Sequence, residues 1–173
     1  TTVSGGEGAR EDGTQIVIFT ITDDDTSGFT VAESSGTSVS EAGSTDTFTV
    51  VLNSKPTGNV VFNVTSGDTG EATVSPSTLT FTTGNWNSAQ TVTVTGINDD
   101  IDDGNVNSTT TIAINTGSTA DSAYDSVSSQ TVTVTTTDND TAGFTIAQSS
   151  GSTTVAETGS TDTFTVVLNT QPT

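Results

Sequence analysis

The chain has 173 residues, with 21 acidic side chains against two basic ones, a formal charge of −19, and no Cys, Met or His. Two basic groups cannot neutralise a phosphate backbone, which excludes nucleic acid and anionic membrane surfaces as partners; the field attracts cations instead. No run approaches the ~18 apolar residues of a membrane span, and without Cys there is no disulfide framework.

Apolar residues alternate with Thr and Ser along most of the chain, the two-residue period of half-buried strands. In chain order the predicted strands cover residues 29–32, 46–53, 59–66 and 77–82, with a short piece at 72–74, then 89–96, 109–115 and 130–136. Within them Phe48, Val50 and Leu52 share one face, Val60, Phe62 and Val64 another, and Ile112 and Ile114 a third. Turn chemistry separates the strands, as in Ser54-Lys55-Pro56-Thr57-Gly58 and Ser66-Gly67-Asp68-Thr69-Gly70. No segment shows a helical period.

The chain also repeats itself. Asp23-Asp24-Asp25-Thr26-Ser27-Gly28-Phe29 returns 115 positions on as Asp138-Asn139-Asp140-Thr141-Ala142-Gly143-Phe144. The stretch 43–53 returns unchanged as 159–169, 116 positions on, with the extra residue near Thr154. A domain-sized period means an array of modules. Seven strands in about 115 residues is the arithmetic of an immunoglobulin-type sandwich. The expected fold is therefore all-β: tandem immunoglobulin-like antiparallel β-sandwich repeats. Residues 1–25 would close one repeat, 26–140 form a complete one, and 141–173 open a third, an excerpt of a longer chain.

Acidic clusters mark the repeat. They are Asp23, Asp24 and Asp25 with their copy Asp138 and Asp140; the run Asn98-Asp99-Asp100-Ile101-Asp102-Asp103-Gly104; and Glu41 with its copy Glu157. In a sandwich, the ends of the strands through Gly96 and Thr136 reach one pole, and Glu41 reaches it too. Carboxylates gathered there repel by about several kcal/mol when partly desolvated. With so little Lys and Arg, a hard divalent cation is the economical neutraliser, and Ca²⁺ the usual one. Zn²⁺ would want His or Cys. The EF-hand spacing fails, because Ile101 and Thr110 stand where acids belong. The carboxylates are clustered and repeat with the module, which suits ligation better than acid–base catalysis, so the chain is not expected to be an enzyme. Trp86 is expected to cover the core edge, and Tyr124 to plug the approach to the last strand.

At these residues the chain resembles the Calx-beta family of β-sandwich repeats. The resemblance runs through residues 19–31, Val39-Ser40-Glu41, the stretch 79–86 ending at Trp86, and Gln90-Thr91-Val92-Thr93-Val94-Thr95-Gly96-Ile97-Asn98-Asp99-Asp100. It implies Ca²⁺ at one pole of the central repeat, held by Glu41, Asp99, Asp100, Asp102, Asp103, Asp138 and Asp140. Glu71 is a further candidate on a looser alignment. Asp23, Asp24 and Asp25 would close the preceding site and Glu157 open the next. Asn98 and Asn139 stand where denser sites carry Asp, which implies fewer or weaker ions. With the composition, the resemblance implies a structural repeat of a giant extracellular, bacterial surface or adhesion protein, Ca²⁺ at the module junctions stiffening it into a rod; exposed Thr-rich strand edges suit pairing with like chains into a filament, and extracellular glycans are a further expected partner. A calcium-sensing module and a carbohydrate-binding module are the rival readings.

Overall fold

A computed structural model describes Thr20 and residues 22–173. The closing strand expected within residues 1–25 falls almost entirely outside the described residues. The strands are β1 (Phe29–Glu33), β2 (Thr37–Ser40), β3 (Thr45–Leu52), β4 (Val60–Ser66), β5 (Ala72–Ser75), β6 (Thr78–Phe81), β7 (Gln90–Gly96), β8 (Val106–Ile114), β9 (Gln130–Thr137), β10 (Phe144–Gln148) and β11 (Phe164–Leu168). None of the described helices is long and apolar enough to cross a membrane.

Nine strands make a two-sheet sandwich. One sheet has the order β1-β3-β7-β5 and the other β2-β9-β8-β4-β6. The ladders are antiparallel, with one exception: β2 runs parallel to β9. β1 and β2 are one passage of chain that changes sheets at the bend near Gly36, whose φ is +85°. The inward residues of each strand fill the space between the sheets, as the alternation requires. Phe48, Val50, Val60, Phe62, Val64, Phe81, Val92, Val94 and Ile112 are all buried. Burying each such side chain contributes about 1.5–3 kcal/mol. Phe62 stands edge-on to Phe29 at 4.8 Å and to Phe81 at 5.7 Å.

At the pole where β3 ends, the Tyr124 hydroxyl donates to the Ser54 carbonyl (2.6 Å). Buried Asp121 accepts from Thr57 N (2.7 Å) and Ala123 N (3.0 Å). Those N–H donors favour the ionised form and hold its pKa below the ordinary value. Trp86 packs half-buried against the core. Tyr124 is buried, and Trp86 covers the edge of the core as expected.

β10 and β11 form a separate two-stranded sheet. Their register, Phe144↔Leu168 to Gln148↔Phe164, copies that of β1 and β3, Phe29↔Leu52 to Glu33↔Phe48.

Candidate metal centre

Strand register gathers the acids. β2 and β9 end together, Ser40 beside Thr137, so Glu41 and the run Asp138-Asn139-Asp140 leave the sheet side by side. Glu41 N donates to the Thr137 carbonyl (3.1 Å), and Asn139 N to Glu41 Oε2 (3.3 Å). In the facing sheet Ala72 pairs with Gly96. Glu71 therefore lies against the start of the acidic loop, where Ile97 N donates to its carbonyl (2.8 Å). The loop re-enters the second sheet at Val106, opposite Thr136. Both of its ends are pinned at one pole.

Inside the loop, Gly104 takes φ +77°, a conformation that favours glycine, and its N donates to Asp138 Oδ2 (2.7 Å). Asp138 Oδ1 accepts from Asp140 N (2.6 Å), and Asp138 N donates to Asn105 Oδ1 (3.1 Å). Asn139 donates to the side chain of Asn98 (3.2 Å), so these two amides tie the closing run to the loop.

Two groups of carboxylates result. Glu41, Glu71 and Asp103 form one, Glu41, Asp138 and Asp140 the other, and within each the oxygens lie within 4.8 Å of one another. Glu41 belongs to both and is 2% exposed; Glu71 is 7% exposed. Desolvation pushes the Glu41 pKa up, and Asp138, Asp99 and Asp140 add to it, against the lowering effect of Asn139 N–H. Desolvation likewise raises Glu71, followed by the charge of Asp103. Asp140 is raised by desolvation and then by Asp138. Asp138 moves the other way, because the N–H groups of Asp140 and Gly104 favour its charge.

The set fits a hard cation. Every donor is a carboxylate oxygen. Glu71 Oε2 and Asp140 Oδ2 are buried with no hydrogen-bond partner, an unfavourable arrangement unless a ligand takes them. Lys55, the one basic residue among those described, is exposed in the turn after β3, at the other pole. Oxygen donors without nitrogen or sulfur suit Ca²⁺.

The remaining acids are placed differently. Asp99 lies close enough to raise both Glu41 and Glu71 and accepts from Ile101 N (2.8 Å); Asp100 and Asp102 act on Asp140. None of these three belongs to either close group. Asp102 reaches forward, accepting from Ala142 N (2.7 Å), and the Asp100 carbonyl accepts from Gln171 N (2.7 Å). Asp23, Asp24 and Asp25 are exposed in the segment before β1, and Glu157 is exposed after residues 153–156; among the described residues none of them joins a carboxylate group. Glu71, outside the strict set, is inside the site.

These shifts have a sign that a chelated sample exposes. Raised folded pKa values mean the folded state holds more protons than the unfolded chain, so metal-free stability falls as pH rises from the ordinary carboxylate value through the raised ones. The lowered Asp138 adds stability that disappears only as pH falls through its own depressed value. In EDTA the melting temperature is expected to be higher at about pH 5 than at about pH 7.5. In calcium the order reverses, because protons compete for the ligands. Scanning calorimetry in the four buffers checks it.

No family model matches the chain, and no curated protein matches it. Among solved structures the chain is similar to the apo-form Calx CBD1 domain, at 15% identity over 67% of this chain and 100% of that one, with a TM-score of 0.46. It is similar to domains 5–6 of the S-layer protein SbsC at 30% identity over 69% of this chain and 48% of that one, with a TM-score of 0.40. The E. coli chaperone DraB follows at 9% identity, 67% and 58% coverage, and a TM-score of 0.46. The all-β sandwich itself rests on the strand order and register.

Proposed function

We propose that this chain is a calcium-stabilised structural repeat of an extracellular surface protein, with residues 26–140 as one complete unit, 1–25 closing a preceding unit and 141–173 opening a following one. The observation that carries this reading is the convergence of buried Glu41 and Glu71 with Asp103, Asp138 and Asp140, with no opposing base among the described residues. Glu41 would bridge the two carboxylate groups, Glu71 and Asp103 serving one side and Asp138 and Asp140 the other. Bound there, Ca²⁺ supplies the positive charge that lets these side chains stay ionised together.

The chain's own residues carry the consequence onward. Asp138 and Asp140 end the sandwich and begin the connection to β10. The same loop that offers Asp103 inward holds Ala142 through Asp102 and Gln171 through the Asp100 carbonyl. Ordering the loop therefore orders the joint. Neutralising the pole would stiffen the path from one unit to the next, which is what a rod-like surface protein needs.

Small-angle scattering with and without EDTA, run beside calorimetry, tests this. The expected result is a lower melting temperature in EDTA, greater flexibility at the 138–143 joint and an unchanged sandwich. Identical melting curves in both buffers would overturn the calcium reading. A discrete change of shape, with two states at intermediate calcium, would make the site a sensor.

A further inference from the structure

Two segments after Asp140 meet the acidic loop: the approach to β10 and the turn after β11. Ala142 N donates to Asp102 Oδ2 (2.7 Å), and Gln171 N to the Asp100 carbonyl (2.7 Å). Asp102, Ala142, Gly143, Gln171 and Pro172 line one cleft there. Asp100 and Asp102 are exposed and stand outside both close carboxylate groups. A cation held by those groups would leave these two charges facing the following unit.

The surface that receives the loop is built a second time. Ala142-Gly143 copies Ser27-Gly28, and Thr170-Gln171-Pro172-Thr173 copies Ser54-Lys55-Pro56-Thr57. The anchoring bonds agree. Asn169 N donates to the Gly143 carbonyl and Asn53 N to the Gly28 carbonyl, both at 2.9 Å. Thr145 donates to the Asn169 side chain (3.0 Å) as Thr30 does to that of Asn53 (2.8 Å). The copy lies where β1 starts and β3 ends, at the pole remote from Glu41. One letter differs in its charge. The place beside Asp100 holds Gln171, and its copy is Lys55, the one base among the described residues. Lys55 is exposed beside buried Pro56. Asp121, an acid at the same pole, is buried and already accepts from Thr57 N and Ala123 N.

We propose that Ser27, Gly28, Lys55 and Pro56 form a docking surface for the acidic loop of a preceding unit, with Lys55 paired to the carboxylates at the places of Asp100 and Asp102. The proposal rests on the reading of the chain as one of an array of units. With its main chain placed as Gln171 is, a lysine's flexible stem spans the step from the Asp100 carbonyl to the acids around it. A single exposed pair adds little stability. What it fixes is orientation and the choice of neighbour. Two kinds of joint follow. A joint with Lys is held by a fixed positive charge and stays docked without calcium. A joint with Gln is held only through N–H groups, so its loop depends on the metal centre for order.

Zero-length carbodiimide coupling, which joins an amine only to a carboxylate it touches, tests this in EDTA. The full chain is lengthened by duplicating residues 26–140 in tandem, with Lys55→Gln in the first copy, so that the remaining Lys55 follows a complete acidic loop. Mass spectrometry is expected to find Lys55 joined to Asp100 or Asp102 of the first copy within one molecule. The yield falls severalfold when salt is raised to about 1 M. A melting curve like that of the wild type shows that the duplicated sandwiches are folded. Gln171→Lys in the single chain is the second measurement, and it decides alone if the duplicated chain does not fold. Its new amine is expected to join Asp100 or Asp102, and scattering in EDTA to show a stiffer joint than in the wild type. In the folded duplicated chain, Lys55 joined only to Asp125 of its own unit, or to no acid, overturns the proposal. So does a Gln171→Lys protein whose new amine joins neither aspartate. None of these results needs calcium. A wild type that melts alike in calcium and in EDTA therefore removes the metal and leaves the docking surface standing.

Discussion

Glu41→Gln is expected to lower the melting temperature of the chain in calcium and to raise it in EDTA. The two effects have one cause. Glu41 is buried, contributes to both carboxylate groups and has a pKa raised by desolvation. Without a cation it is a dry negative charge facing Asp138, Asp99 and Asp140, and the folded state is strained by it. Gln is nearly isosteric, removes the charge, and still offers an oxygen to Asn139 N. The metal-free variant therefore melts above the metal-free wild type. In calcium at about 100 times the dissociation constant, binding to the folded state alone adds about 2.7 kcal/mol per site, or about 10 °C for a domain of this size. The variant loses the ligand common to both groups and most of that gain. Calorimetry of both proteins in both buffers reads the result as a crossing of order. If the variant is less stable in both buffers, Glu41 is a structural hydrogen-bond acceptor and the site is not a cation site.

The sandwich was largely legible because its core strands obey one rule. Phe48, Val50 and Leu52 alternate with Thr and Asp, and all three are buried where the alternation puts them. The rule fails where inward positions are polar. β8 begins at Val106, three residues before the expected start, because Ser108 and Thr110 face inward without an apolar signature. β2 offers a single large apolar residue, Val39, and its partner lies at the far end of the unit. A parallel, non-local ladder leaves no local mark. The acidic pole has a similar split. Glu41, Asp138 and Asp140 are found by the repeat and by their places after strands. Glu71 carries a weaker signal, an acid immediately before a short strand, and only the pairing of Ala72 with Gly96 brings it to the pole. Asp23, Asp24, Asp25 and Glu157 copy the letters of the site, and the residues that would gather Asp23, Asp24 and Asp25 lie outside the described residues.

Gly96→Ala is expected to be the most damaging single methyl group in the sandwich. Gly96 ends β7, pairs with Ala72, and donates to the Ser44 carbonyl (3.0 Å). A Cβ there would collide with the backbone of Ser40, its carbonyl oxygen first. No side chain can swing aside, because the obstacle is main chain held by the β2–β9 ladder. Either β7 or the end of β2 must move, and Glu41 is the residue after Ser40. The expected loss is about 3 kcal/mol or more, the range of overpacking in a well-packed interior. Calcium affinity falls with it, since displacing Ser40 carries Glu41 away from Glu71 and Asp138. Gly84→Ala is the matched control: its added methyl meets only Thr82 Oγ1, at 3.8 Å, and both stability and affinity should stay near wild type. Urea unfolding in EDTA isolates the packing term, and calcium titration of the folded fraction isolates the ligand term. A Gly96→Ala protein with wild-type stability in EDTA would mean that β2 and β7 do not approach this closely. The close convergence of Glu41 with Glu71 would fall with that contact.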